Sequence, residues 1–306
     1  MLRVLPSRTE AEAATQAGNW KAAAERWYAL FMADPARPVE ACAHAARAFL
    51  ALKDADSASH VLDIGLAAHA TDPDLLELKG EALVALGYRR AAEDFFRRAL
   101  EIDPRRVAAL VNLGKLRIDL GLEKDAVKPL RRAVEITGGD FQTWRLLAKA
   151  ECESGNPRGA YESWVRSFTM GEGSVEDLVE AASLLVDESF RKAHPEAGEQ
   201  MVRWLKTAVG REPQCARAHF QLGVRSEENG HKEEAVEHYR RAVEIDPSCL
   251  MALTNLAVLY STLGDEEGTR AMVTRALALE QDGNRRKALQ KLLDPFEHKA
   301  KSGETP

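Results

Sequence analysis

The side chains of this chain that could ligate a metal, attack a carbonyl or cradle a phosphate are scattered along its 306 residues. Cys42, Cys152, Cys215 and Cys249 lie far apart with no C-x-x-C among them. A zinc site or a redox pair needs two such ligands within a turn or so of each other. The four are expected as reduced thiols inside helices. His231 and His238 stand seven residues apart on opposite sides of a turn and read as solvated side chains, whereas His219 falls at a packing position and reads as core. Gly171-Glu172-Gly173-Ser174 has the look of a phosphate loop without its lysine, and the lysine is what reaches the outer phosphates. No H-E-x-x-H and no nucleophile elbow occur, and serines sit mostly where helices begin. Carboxylates come in blocks such as Glu233-Glu234 and Glu266-Glu267, as solvated helix faces do. The residue types therefore predict a non-catalytic chain with no metal and no cofactor.

Composition agrees with a folded protein of high helix content. Apolar residues make up 45% and charged residues 29%, and Ala, Leu, Glu and Arg dominate, which favours helix. No period-two run of β-branched residues is long enough for a strand. A net charge of −6 argues against a surface built for nucleic acid. The opening MLRVLPSRTEAEAA turns polar too early for a signal peptide, and no apolar run approaches the length of a membrane span. A cytoplasmic location and no membrane insertion are the expectations.

Self-similarity decides the fold. The stretch from Ala216 to Pro247 reads as two amphipathic helices: Ala218, His219, Leu222 and Gly223 line one face of the first, and Ala235, Tyr239, Ala242 and Val243 line the second. Asn229-Gly230 breaks the first helix and Asp246-Pro247 closes the second. Pro247 lies 34 residues after Pro213, which closes the preceding segment. At that period the eighth residue is always small: Ala11, Ala46, Gly80, Gly114, Ala148, Ala182, Gly223, Ala257. The early second helix repeats the demand with Ala23, Ala58, Ala92, Ala126, Ala160 and Ala235, and four residues later come the large knobs Trp27, Leu62, Phe96, Leu130, Trp164 and Tyr239. Turn glycines recur at Gly18, Gly87, Gly121, Gly155, Gly230 and Gly264, and Pro35, Pro104, Pro213 and Pro247 end second helices.

This pattern resembles the tetratricopeptide repeat, a 34-residue helix–turn–helix unit with small, large and proline positions at these places. The resemblance implies an all-α fold, a right-handed α-α superhelix (solenoid) of about eight repeats. The expected units lie near 4–37, 39–72, 73–106, 107–140, 141–174, 175–215, 216–249 and 250–283, so that the solenoid spans 4–283. An amphipathic C-terminal capping helix over 284–299, bent or ended by Pro295, would cover the open end, and 300–306 would form a flexible tail. Departures are informative. Lys53 replaces a turn glycine, and the fifth unit ends with Glu172 where proline is expected. The sixth unit opens with a Ser174/Asp177 capping pattern and then spends seven extra residues over RKAHPEAGEQ before its second helix MVRWLKTAV. These either lengthen its first helix or form a loop around His194-Pro195.

In the resembled family, stacked first helices line a concave groove that takes a peptide or a helix of another protein. Carried onto this sequence, the groove positions are Asn112 and Lys115, next to Arg145 and Lys149, and further along Arg217, Phe220, Gln221, Thr254 and Asn255. An Asn amide can hold a peptide backbone, and Arg and Lys can pair with a carboxylate. The carboxylate clamp of the family's chaperone-tail binders is missing, because Glu77, Glu81, Gln142 and Leu146 stand where its cations and amides belong. The expected function is a protein-interaction scaffold. Alternatives are a self-assembling scaffold that binds a second copy, an accessory subunit of a larger enzyme, and an RNA-binding helical repeat, which the net acidity disfavours.

Overall fold

Half of the described helices begin at a side chain that accepts a hydrogen bond from the first turn, satisfying one of its four orphan N–H groups. A computed structural model describes residues 6–183 and 188–296. The first helix, α1 (Arg8–Gln16), opens with a complete capping box in which Ser7 and Glu10 each accept the other's backbone N–H. Asn19, Asp54, Asp72, Asp140 and Asn156 each accept one first-turn N–H at the starts of α2 (Trp20–Ala33), α4 (Ala55–Ala68), α5 (Pro73–Ala85), α9 (Phe141–Glu153) and α10 (Pro157–Met170). Between them run α3 (Val39–Ala51), α6 (Arg89–Ile102), α7 (Val107–Asp119) and α8 (Glu123–Thr137). Among the described residues every element is a helix, with no strand.

The chain divides into two compact units, Met1–Gly171 and Glu172–Pro306. The division falls where the closing proline is missing, and Gly171 leaves α10 with extended backbone. In the first unit each helix packs on the next, and the odd-numbered helices α3, α5, α7 and α9 also touch in sequence. The second unit contains α11 (Val175–Ser183), α12 (Glu188–Ala193), α13 (Pro195–Arg211), α14 (Ala216–Glu228), α15 (Lys232–Ile245), α16 (Leu250–Leu263), α17 (Glu266–Leu279) and α18 (Gly283–Lys291). Here α13 packs on both α11 and α14, and the chain then continues helix on helix to α18.

Within the hairpins the small and large residues interlock. A β-carbon at Gly80 would lie 2.5 Å from the Phe96 ring, and one at Gly223 would lie 2.6 Å from the Tyr239 ring. One at Gly114 would overlap Leu130. Real side chains do not approach so closely, so the two helices can meet at these points only over bare backbone. Phe96, Leu130 and Tyr239 are fully or almost fully buried, each contributing about 1.5–3 kcal/mol through burial. Polar ties join successive hairpins: Arg106 pairs with Asp74 and Glu77, Lys79 with Asp63 at 2.6 Å, and Arg117 with Glu93 at 2.9 Å.

The sixth unit departs from expectation. Glu188–Ala193 is helical, residues 184–187 before it lie outside the described residues, and the helix expected to begin near Met201 begins at Pro195 instead. Proline suits a first helical position, where its missing N–H has no partner to lose, so α13 reaches 17 residues. Ser174 and Asp177 do exchange the capping hydrogen bonds. At the C-terminus, α18 stops at Lys291 and the chain turns at Leu292 and Leu293, ahead of Pro295. Leu289 and Phe296 are buried. The remainder of the expected capping helix, 297–299, and the tail 300–306 lie outside the described residues.

The turns between paired helices use left-handed backbone, which glycine adopts without strain. Lys53 sits at such a turn with φ 61° and is exposed. A non-glycine residue there carries roughly 1–2 kcal/mol of steric cost, against about 0.5–1 kcal/mol of extra chain entropy for glycine. Lys53→Gly is therefore expected to raise the urea midpoint, by at most about 1 kcal/mol in stability. Gly114→Leu is expected to lower it, near the top of the roughly 1–3 kcal/mol typical of overpacking. A midpoint unchanged by Gly114→Leu would refute the interlock as described.

Candidate functional site

The sequence-predicted recognition residues lie on odd-numbered helices of the first unit and even-numbered helices of the second. In the first unit Asn112 and Lys115 sit on α7, and Arg145 and Lys149 on its neighbour α9. Lys115 is exposed, and the other three are half-buried. Asn112 donates its amide to Glu81 of α5 at 2.8 Å, so that this side chain already ties two hairpins together. Arg145 reaches back along its own helix to Gln142, 3.1 Å away. Beneath them, Arg106 at the start of α7 bridges two carboxylates of α5, Asp74 and Glu77. Burial pushes the Glu77 carboxyl above its ordinary range, although the Arg106 guanidinium pulls it back.

In the second unit Arg217 and Gln221 both donate to the Ser183 hydroxyl at the end of α11, the former at 3.2 Å. Phe220 packs on the Tyr239 ring, centroids 5.9 Å apart. Asn255 donates to the Tyr239 hydroxyl at 3.0 Å, and that hydroxyl donates to Glu227 at 2.8 Å. Burial, reinforced by this acceptor, pushes the Tyr239 phenol far above its ordinary range. Phe220 and Asn255 thus converge on one buried tyrosine that joins α14, α15 and α16. Thr254 goes elsewhere. It lines a cleft of about 500 Å³ between α16 and α18, together with Met251, Asn255, Val258, Leu289 and Leu292.

The histidines require a correction. His231 is exposed, but His238, expected in solvent, is half-buried against His219 of the preceding helix, with Nδ1 atoms 3.3 Å apart. His219 is buried as expected, and its Nε2 lies 3.3 Å from the Pro213 carbonyl oxygen. A carbonyl only accepts, so His219 carries its proton on Nε2 and offers the Nδ1 lone pair. His238 must then donate from Nδ1. The second helix of the hairpin turns His238 inward, a placement that a seven-residue spacing across a turn does not reveal.

Of the four thiols, Cys42 is buried and donates to the Val61 carbonyl at 3.4 Å. Burial pushes its pKa up to about 12, so it stays an unreactive thiol. None of the four cysteines is in a disulfide. Among the described residues no group of three potential ligands could hold a metal ion, and no helix is long and apolar enough to cross a membrane.

Stacked two-helix hairpins held by a recurring small-against-large contact define an α-helical repeat protein. The tetratricopeptide-repeat pattern matches residues 73–106, the α5–α6 hairpin, and residues 216–249, the α14–α15 hairpin. Both of these stretches are tetratricopeptide repeats. Among solved structures the chain is similar to YrrB, described as a TPR protein with an unusual peptide-binding site, at 17% identity and a TM-score of 0.58, covering 64% of this chain and 97% of that one. It is also similar to pilF of Pseudomonas aeruginosa, at 15% identity and a TM-score of 0.57, covering 68% and 91%. Both likenesses concern the fold. Among curated proteins, a probable biofilm formation methyltransferase, WspC of Pseudomonas putida, is 31% identical over 106 residues, 35% of this chain and 25% of that protein. The human protein O-mannosyl-transferase TMTC3 is 23% identical over 176 residues, 57% and 19%. The chain spans a quarter or less of the length of these two relatives.

Burial lowers the pKa of both His219 and His238 below the ordinary histidine value. Around them stand Arg241, Lys206, Glu234 and Glu237. A depressed histidine binds fewer protons folded than unfolded, so its stability is present above the unfolded pKa of about 6.5 and is lost as pH falls below it. The urea midpoint of the parent is expected to drop between about pH 7.5 and pH 5. His219→Phe is expected to flatten part of that drop. An equal pH dependence in parent and variant would show that the pair does not titrate on unfolding.

Proposed function

We propose that this protein is a non-catalytic interaction scaffold that holds a peptide or a helix of another protein against its stacked first helices. The observation that carries the reading is the division of labour on those helices. Their inward positions are consumed by the interlock, as at Gly80, Gly114 and Gly223, while the side chains at the groove positions remain at least partly exposed. Lys115 on α7 and Arg145 and Lys149 on α9 give the first unit a cationic stretch suited to a carboxylate-bearing partner. YrrB, with the same kind of fold, is described as having a peptide-binding site, which supports this use of the surface.

A second reading has its own support. Two curated relatives are named as transferases, and each is far longer than the stretch it shares with this chain. The array then positions a catalytic partner, in the same or another chain, and the binding surface has the same chemistry. Co-purification followed by mass spectrometry separates the two, because a stoichiometric enzyme in the complex favours the second.

Charge reversal tests the surface. Arg145→Glu with Lys149→Glu is expected to weaken capture of an acidic partner at least about tenfold, which corresponds to 1.4 kcal/mol, with an unchanged helical circular dichroism spectrum. Capture of every partner at parental strength by the double variant would remove this face from the binding site.

A further inference from the structure

The cleft between α16 and α18 is largely apolar and open, with Arg285 and Glu280 as its charged lining and two further cations of α18 nearby. Met251 is 63% exposed, and Val258, two helical turns on along the same side of α16, is 36% exposed. A methionine left that open has no packing role in its own hairpin, and two large apolar side chains lined up beside a cleft mark a place where something else is buried. Leu289 and Leu292 form the opposite wall. That wall is firmly held: Leu289 is buried in the apolar cluster of α16 and α17, and the Ser261 hydroxyl donates to the Leu292 carbonyl at 3.3 Å.

The charge around the cleft identifies its occupant. Helix α18 carries Arg285, Arg286, Lys287 and Lys291 and not one carboxylate, in a chain whose net charge is −6. Arg286 is engaged by the carbonyls of Leu277 and Glu280. Arg285 is held only by a long 3.9 Å ion pair to Glu280, which lines the cleft beside it, and its side chain stays 76% exposed. The Glu280 carboxylate is itself tucked in, accepting the Asp282 N–H at 2.9 Å. Lys287 and Lys291 are exposed on the outer side of the same helix and strengthen its field.

We propose that this cleft seats an acidic amphipathic segment of a partner protein. The segment's large apolar residues lie between Met251 and Val258 on one side and Leu289 and Leu292 on the other, and a carboxylate pairs with Arg285. The mode is that of an apolar stripe laid into a groove, in which the stripe supplies affinity and the charges supply orientation and on-rate. The proposal rests on the interaction reading above and names the chemistry of the partner at one end of the second unit.

The test uses a phage-displayed random-peptide library selected on the full chain, with the winning peptides measured by fluorescence anisotropy. Enriched sequences are expected to combine large apolar residues with net negative charge. Met251→Asp, and independently Val258→Asp, are expected to weaken the winners at least about tenfold, and Arg285→Glu several-fold with loss of the salt dependence. Arg145→Glu with Lys149→Glu is expected to leave them unaffected. Met251 and Val258 point outward, and circular dichroism checks that the variants fold. Winners that are basic or uncharged, or that bind Met251→Asp as tightly as the parent, overturn the proposal. Co-sedimentation with phosphatidylserine vesicles that Met251→Asp abolishes would assign the cleft to a lipid surface and also overturn it. If partner capture depends on Arg145 and Lys149 but not on Met251, this cleft fails while the scaffold reading stands. Dependence on none of the three removes both.

Discussion

In hairpin after hairpin a bare or nearly bare backbone position faces a large side chain on the returning helix. Gly80 against Phe96, Gly114 against Leu130 and Gly223 against Tyr239 are the glycine instances, with Ala46, Ala148 and Ala257 fully buried at the equivalent places. This contact sets the separation of the two helices, and the separation sets which residues of the first helix face outward. The recognition positions are thus a by-product of packing. A larger side chain in the interlock would splay the pair and rotate Asn112 or Phe220 away from its neighbours without touching either.

The polar ties between hairpins act at a second level. Arg106 with Asp74 and Glu77, Asn112 with Glu81, and the Tyr239 hydroxyl between Asn255 and Glu227 each join elements that hydrophobic stacking already brings together. Half-buried pairs of this kind add little net stability but penalise a wrong stacking register heavily, because a misplaced partner leaves a charge or hydroxyl buried alone. They also occupy atoms that a sequence reading assigns to a ligand. Asn112, Gln221 and Asn255 each have at least one amide hydrogen committed inside the protein, which leaves Lys115 and the cleft beside Thr254 as the more open chemistry on their respective units.

What could be read in advance follows from how each feature is encoded. The interlock was legible because it is steric and repeated: Gly or Ala recurs at Gly80, Gly114 and Gly223, and no other property explains the coincidence. Lys53 stood out as a departure from a glycine, and the backbone there is left-handed as the turn requires. Charged and polar side chains were not legible in the same way. Glu77 and Glu151 look on paper like any solvated glutamate, yet both are buried, one by Arg106 and the other by Arg131 and Ser163. Their partners arrive from adjoining helices, so no local pattern marks them. His238 was missed for the same reason. The early start of α13 at Pro195 was hidden because proline reads equally as a loop residue and as a first helical residue, and only packing decides between the two.

The interlock also has a temporal consequence. Its two members are only sixteen residues apart, as with Gly80 and Phe96, so the deepest contact of each hairpin closes over a short loop at little entropic cost. Nothing in that closure waits for a distant segment. As the chain leaves the ribosome, each hairpin can seal soon after its second helix emerges and offer a finished surface to the next. Construction then proceeds in the direction of synthesis, with only the newest hairpin's outer face uncovered at any moment.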